Sequence, residues 1–488
     1  MAKRKRCSKC PQPRHKQAGS SSQYDKRSRL DKANRDRRKT ESARIPLVGW
    51  LATAAASMAD LLDSRMAFRL SILMAGMLLA DDRRVAASWF AAAGVGDDWD
   101  RFYDCLMSVG RKTGSLALPL VMAVVRKLDP GPQGRIVLAG DDSPTQRYGK
   151  QVEGAGVHHN PTPGPADGEW LYGHNWVTLC VLGKHPLWGI LALPLRSLLY
   201  VREQDVPALQ QKYGWEFRTK HELLVDLVEW FVGIVRGMEL QCAIWLAVDG
   251  AYAARPVLQP LIEQGVVIFS RLRKDAVLYE LPQQPKPGQR GRPRIYGAER
   301  ISLAKRAAHK CGWQTIAYVC RGVEVTRQYK SFLATCPMTG GVIRVVIVRF
   351  EDRGWAAYFC TNPDVSIRDL LETVAARWAI EEHFHDVKEV WGAGQQQVRN
   401  LWSNIACWNL NQWMYTLVEL ATWDSSHAEL VDRSDRPWDC PLRRPSHADR
   451  RRTIARNMLE ERFLATLPDS PETEKFKRLI ADVVQLCV

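Results

Sequence analysis

The chain has 488 residues, 46% hydrophobic and 25% charged, which fits a water-soluble globular protein of two or three domains with a large core. Its formal net charge is +16, and residues 1–45 hold 16 Lys and Arg against four Asp and Glu, so +12 of the surplus sits in the first tenth of the chain. Such a tail points to a polyanionic partner, nucleic acid above all, while the longest apolar run, residues 70–80, is too short to span a bilayer and argues against a membrane protein.

Residues 1–45 are polar, basic and Ser-rich and read as a disordered tail. They open on MAKRKRCSKC, which has charge but no apolar segment behind it and so does not read as a secretory signal. Cys7 and Cys10 form a CxxC with His15 nearby, but no second pair follows at zinc-finger spacing, so an incidental pair is expected. The 12 cysteines are scattered, several in apolar contexts such as Cys180, Cys242 and Cys360, which fits reduced thiols and a cytoplasmic location. Residues 46–130 read as a helical DNA-binding domain, with VGWLATAAASMADLL, MAFRLSILMAGMLLA and LALPLVMAVVRKL as helices. Two short helical patterns between them, split at residues 94–98, look like a helix-turn-helix unit; a plain helical bundle is the alternative.

From Arg135 the period changes. RIVLAGDD, HNWVTLCVLG and LWGILALPLRSLLYV read as strands, HELLVDLVEWFVGIVRG as an amphipathic helix, AIWLAVDGAY as a strand ending in a carboxylate, RPVLQPLIEQG as a helix and VVIFSRLR as a strand. This predicts an α/β fold, a mixed sheet covered by helices, over residues 131–274. Residues 275–362 interrupt it with a Pro/Gly/Arg-rich loop, PQQPKPGQRGRPRIYG, and four alternating runs that read as a β-rich insertion. Residues 363–425 return to helices, including residues 377–399 and the Trp-rich IACWNLNQWMYTLVELATW. Residues 426–488 read as a helical and basic region, with RRPSHADRRRTIAR and a final short helix near residues 475–488.

Within residues 377–399, Arg377, Glu381 and Lys388 share one helix face, because offsets of four and seven return to the same side at about 3.6 residues per turn. A surface salt-bridge ladder gives the same pattern. Asp141 and Asp142 end the first strand and Asp249 ends the fourth, where ligands gather in sheets with parallel strands. Carboxylates there are costly unless neutralised, which a hard divalent cation does well. Three carboxylates from two strand ends and one helix suit two Mg²⁺ ions about 3.5–4 Å apart, an arrangement for in-line phosphoryl displacement by water or a 3′-hydroxyl.

AGDDSPTQ, AVDGAY and the run from Arg377 through Glu381 to Lys388 resemble the three acidic motifs of DDE cut-and-paste transposases. The type they resemble is the insertion-sequence-four class, whose Tyr-Arg-Glu-Lys signature surrounds the last acid. Arg377, Glu381 and Lys388 match that signature, whereas Val374 stands where it has Tyr. The resemblance implies an RNase H-like core with a β-rich insertion before the last catalytic helix. It assigns the acids to Asp249, Glu381 and one of the Asp141–Asp142 pair. Asp142 is preferred because Ser143 follows it and the family's acid usually precedes Thr or Ser; strand alternation lets only one of the two face the metals. Glu382, about 100° around the helix, is the analogous decoy for Glu381.

The resemblance further implies that Arg377 and Lys388 contact phosphates, with ion pairing to the acids as the alternative for both. Arg271 is a further phosphate candidate, with a plain surface Arg as the equal alternative, and Arg292 and Arg294 in GQRGRPRIYG are candidates for an A·T-rich minor groove, with a solvated basic loop as the equal alternative. Trp355 could hold a flipped base, though a core Trp gives the same signal. His383 and His385 diverge on a helix and prefer softer metals than Mg²⁺, so neither is expected to be a ligand.

The function expected is thus Mg²⁺-dependent cleavage at terminal inverted repeats and strand transfer into target DNA by a homodimer, with two ions and Mn²⁺ substituting. The setting implied is the cytoplasm of a bacterium, at the nucleoid, with no membrane partner. The alternatives are a transposase-derived DNA-binding protein that no longer cuts, and a metal-dependent endonuclease without strand transfer.

Overall fold

The computed structural model describes residues 61–464, preceded by residues 53 and 56–58, apart from 82, 132–133, 161–167, 284–293, 353, 432–437, 439 and 441–442. The basic tail with Cys7 and Cys10, the expected helix near residues 475–488, and Arg292 lie outside the described residues.

The sheet is preceded by α1 (Ser64–Leu79), α2 (Ala86–Ala92), α3 (Trp99–Arg111) and α4 (Leu118–Leu128), with a single helical turn at Thr113–Leu116 between the last two. The Asp63 carboxylate caps α1 by accepting from the backbone N–H of Arg65 and Met66. Between α2 and α3 the residues Gly96–Asp98 form a single 3₁₀ turn. A sheet begins with β1 (Arg135–Gln146), followed by β2 (Gly156–His159), β3 (Trp170–His185) and β4 (Gly189–Tyr200). After the helices α5 (Val206–Tyr213) and α6 (Lys220–Gly237) come β5 (Ala243–Val248), α7 (Arg255–Glu263) and β6 (Val267–Leu272).

β4, β3 and β1 pair antiparallel, and β1, β5 and β6 pair parallel, giving the spatial order β4–β3–β1–β5–β6. This large mixed sheet with helices on its faces is consistent with an RNase H-like core. β7 (Leu278–Tyr279), β8 (Arg300–Ile301), α8 (Leu303–Ala308), β9 (Gln314–Cys320), β10 (Val323–Cys336), β11 (Gly341–Phe350) and β12 (Gly354–Cys360) follow β6. They extend the same sheet, because β12 pairs antiparallel with β6.

The chain then turns into α9 (Ile367–Ala376), α10 (Ala379–Glu389), α11 (Leu401–Ala421) and α12 (His447–Leu464). The predicted helix over residues 377–399 is therefore shorter than expected. Arg377 and Trp378 form the joint between α9 and α10, and the chain leaves helix after Glu389, where Gly392 (φ 66°) and Gly394 (φ 96°) adopt left-handed backbone. Arg147 holds the resulting loop: its Nη1 donates to the carbonyls of Gly394 (2.6 Å) and Gln396 (2.7 Å), and its Nη2 donates to Asn404 Oδ1 (2.9 Å).

The sheet faces divide the core. On one face, Ala139, Trp176 and Cys180 share a cluster with α10, α11 and the N-terminal helices. On the other, Ile136, Leu138 and Val177 share a cluster with α6 and α7. α11 is mostly apolar and almost wholly buried, as expected of a core helix. Its polar side chains serve the irregular strand β4, whose register against β3 shifts between Leu179 and Cys180. Asn409 Oδ1 accepts from Ser197 N–H (2.9 Å), Trp413 Nε1 donates to the Leu195 carbonyl (2.8 Å), and Thr416 Oγ1 donates to the Pro194 carbonyl (2.7 Å). Each bond satisfies a backbone group that the bulge would strand in an apolar layer.

Candidate active site

β1 carries its two acids in mid-strand. Pairing with β3 runs on to Gln146, but pairing with β5 stops at Gly140, opposite Val248. The next residues are Asp141 on β1 and Asp249 just beyond β5, so both acids sit where the parallel part of the sheet ends. On β6 the same level is reached at Arg271, which lies opposite Tyr358 of β12.

The pleat separates the pair. Odd-numbered Val137, Ala139 and Asp141 point towards α9 and α10, and even-numbered Leu138 and Asp142 point towards α6. β5 follows the same logic: Trp245 packs with α9, whereas Ile244 and Leu246 pack with α6 and α7, which leaves Asp249 on the Asp141 face. Arg271 is on that face too, two residues after Phe269.

Arg377 joins the first and last elements. Its Nη1 donates to Asp141 Oδ2 at 2.8 Å and its Nη2 to Glu381 Oε1 at 2.7 Å. The α9–α10 joint makes this possible, since it keeps Arg377 four residues before Glu381 on a nearly continuous helical path. Asp141 is largely buried. Desolvation pushes its carboxyl up to about 7 against the pull of Arg377 and of the Asp142 N–H (2.8 Å), while Asp142 and Asp249 push it further up. Asp249 is exposed, and Glu381 is about one-third exposed.

Asp142 does not meet Glu381 or Arg377, although the sequence favours it over Asp141. Its Oδ2 accepts from Lys220 Nζ at 2.7 Å and its Oδ1 from Tyr252 Oη at 2.8 Å. Neither partner is prominent in the sequence. Tyr252 stands three residues after Asp249 in AVDGAY, and Lys220 is the first residue of α6, inside the Thr219–Glu222 capping box.

The remaining expected residues are placed as follows. Lys388 lies half-buried on α10, and burial pushes its ammonium down to about 8; it has no hydrogen bond or ion pair among the described residues. Arg271 is exposed and likewise unpaired among the described residues, and Arg294 is exposed between β7 and β8. Trp355 is half-buried at the start of β12, with Lys274 Nζ 5.1 Å from its ring centroid. His383 is fully buried against Tyr415 and burial pushes it down to about 3, so it is neutral; His385 and Glu382 are exposed.

As donors for a metal, Asp141, Asp249 and Glu381 are hard oxygen ligands on one face, which fits Mg²⁺ or Mn²⁺. Their carboxylates are not gathered into a closed cluster: among the described residues no group of three acids, His or Cys stands at ligating range. Two of the three, Asp141 and Glu381, share the Arg377 guanidinium.

Among the described residues, Cys105, Cys180, Cys242, Cys311, Cys320, Cys336, Cys360 and Cys407 are free thiols. No helix among the described residues is long and apolar enough to cross a membrane. No curated protein matches the chain. Among solved structures, one similar chain is that of the piggyBac transposase synaptic complex with hairpin DNA, at 11% identity and a TM-score of 0.35, covering 92% of this chain and 85% of that one. The sequence profile of the DDE superfamily endonucleases matches residues 58–330, which include Asp141, Asp142 and Asp249. That match spans more than half of the protein, and the chain belongs to the DDE superfamily endonucleases.

Proposed function

We propose that this protein is a DNA transposase of the insertion-sequence-four type, which cuts phosphodiester bonds at the ends of its element and joins them to target DNA. The observation that carries this reading is that Arg377 joins Asp141 to Glu381 at 2.8 and 2.7 Å, with Asp249 at the neighbouring strand end on the same face of the sheet. Asp141 takes the place of the first acid because the pleat aims it at Glu381. Members of the superfamily generally use divalent metal ions. Bound by these three carboxylates, the metal supplies Lewis-acid activation of the attacking hydroxyl and charge stabilisation of the leaving oxygen.

The protein's own groups prepare that site. Burial of Asp141 makes its ionised form costly without a cation, so its affinity is directed to positive charge. Arg377 provides such charge to Asp141 and Glu381, and its guanidinium beside the acids is also placed to hold a DNA phosphate. Lys388, short of acid partners, is a second phosphate contact, and Arg271 at the end of β6 is a third. Two ions, a homodimer on paired inverted repeats and a nucleoid location in a bacterium belong to the same proposal.

The test is cleavage of supercoiled DNA carrying the element's terminal repeats, with and without Mg²⁺. Wild type is expected to cut at the repeat ends only with metal. Asp249→Ala and Glu381→Ala should bind the repeats yet cut at least about 10³-fold more slowly, the loss of several kcal/mol of charge stabilisation. Wild type that binds without cutting would instead identify a DNA-binding protein, and cutting without joined product an endonuclease.

A further inference from the structure

Asp249 is the exposed member of the acid set, with no side-chain hydrogen bond among the described residues, so its position depends on the loop that carries it. That loop is tied down three residues later. Tyr252 is 2% exposed; its N–H donates to the Asp249 carbonyl at 3.0 Å, and its hydroxyl crosses to Asp142 on β1 at 2.8 Å. His221 of α6 adds a second tie, its Nε2 lying 3.0 Å from the Ala251 carbonyl, and its ring meets Tyr252 edge-on at 5.8 Å. Lys220, at 2.7 Å from the other Asp142 oxygen, neutralises a carboxylate that would otherwise add negative charge directly behind Asp141. The same acids raise the Tyr252 phenol well above its ordinary range after burial has already done so, which keeps it a hydrogen-bond donor.

We propose that Asp142, Tyr252 and Lys220 are positioning residues, a latch on the far face of the sheet that sets where Asp249 meets the metal. The inference rests on the reading of Asp249 as a metal ligand. Its logic is that of outer-shell groups in metal sites, whose loss typically costs about 10–100-fold in metal affinity. The latch gives the second Asp of the Asp141–Asp142 pair a role on the opposite side of the strand from the ligands.

The experiment is a Mn²⁺ titration of the full chain followed by electron paramagnetic resonance of free Mn²⁺. It is paired with the metal dependence of cleavage, metal-free affinity for terminal-repeat DNA, and thermal unfolding. Tyr252→Phe keeps the buried ring and removes only the hydroxyl. It should weaken Mn²⁺ binding about tenfold or more and raise the metal concentration for half-maximal cleavage in step, with DNA affinity and unfolding midpoint unchanged. Asp142→Asn keeps an oxygen to accept from Tyr252 and should stay within a few-fold of wild type, whereas Asp142→Leu should resemble Tyr252→Phe. The latch is overturned if Tyr252→Phe binds Mn²⁺ like wild type, or if Asp142→Asn abolishes binding as a lost ligand does. Asp249→Asn separates the two levels: wild-type metal binding and cleavage by that variant would remove the ligand reading itself, whatever Tyr252→Phe does.

Discussion

Arg377 shows at the scale of one residue how a site can be charged and still fold. Asp141 and Glu381 approach each other across β1 and α10, and the guanidinium between them replaces repulsion with two charge-assisted hydrogen bonds. The i, i+4 spacing of Arg377 and Glu381 is legible in the sequence, and so is the pairing alternative weighed for it. The identity of the acid that meets them is not. Alternation tells a reader that Asp141 and Asp142 face opposite ways. Which face α10 covers depends on packing between segments more than 200 residues apart, and a following Ser is a poor guide to that. Tyr252 was hidden for a similar reason, since its partner is on another strand. A second residue-scale consequence concerns Glu419 on α11, fully buried and bonded to Arg450 Nη1 (2.6 Å) and His447 Nδ1 (2.6 Å). Trp391 Nε1 donates to the other His447 nitrogen, so the imidazole donates through Nδ1 to Glu419. Glu419→Gln leaves Arg450 buried without its counter-charge and should cost about 3–5 kcal/mol in urea unfolding at pH 7.

At the scale of elements, most strands and helices after Arg135 follow from period and turn residues, because their apolar faces are long and regular. The exceptions are instructive. β1 runs past the acids to Gln146 because β3 continues to pair with it, which no local pattern announces. The basic stretch after Pro445 becomes α12, whose Arg450 and Arg451 are buried: Arg451 Nη2 donates to the Leu78 carbonyl at 3.0 Å at the end of α1. Nothing in composition distinguishes such arginines from DNA-binding ones. α3 and α11 offer a direct test of packing. A Cβ on Gly110 of α3 would stand 1.9 Å from the Trp402 carbonyl oxygen, so the two backbones must separate to admit it. Gly110→Ala is expected to destabilise by about 1–3 kcal/mol, measured as a lower midpoint in denaturant, despite the better helix propensity of Ala.

The whole molecule sets a large core against a strong positive charge. Its acid stability follows from the buried network on α11 and α12. Burial alone would raise Glu419, but Arg450 and His447 outweigh it and hold the carboxyl at about 2. A depressed carboxylate contributes stability above its unfolded value, near 4.5, and that contribution is lost as pH falls towards 2. The unfolding free energy of wild type should therefore drop between about pH 5 and 2, and Glu419→Gln should show a shallower drop from a lower start; equal slopes would show that other groups control acid unfolding. The +16 charge should make DNA binding strongly salt-dependent. Arg271→Ala, if it removes one phosphate contact, should reduce the slope of log affinity against log salt by about 0.9 without changing sequence preference.

The measurement that bears most directly on the site is a side-by-side comparison of Asp141→Asn and Asp142→Asn in Mg²⁺-dependent cleavage of terminal-repeat DNA. With Asp141 on the face of Glu381 and Asp142 turned to Lys220 and Tyr252, Asp141→Asn should bind DNA and fail to cut, while Asp142→Asn keeps activity within a few-fold of wild type. The reverse order, an active Asp141→Asn and an inactive Asp142→Asn, would contradict the site as built from the pleat of β1.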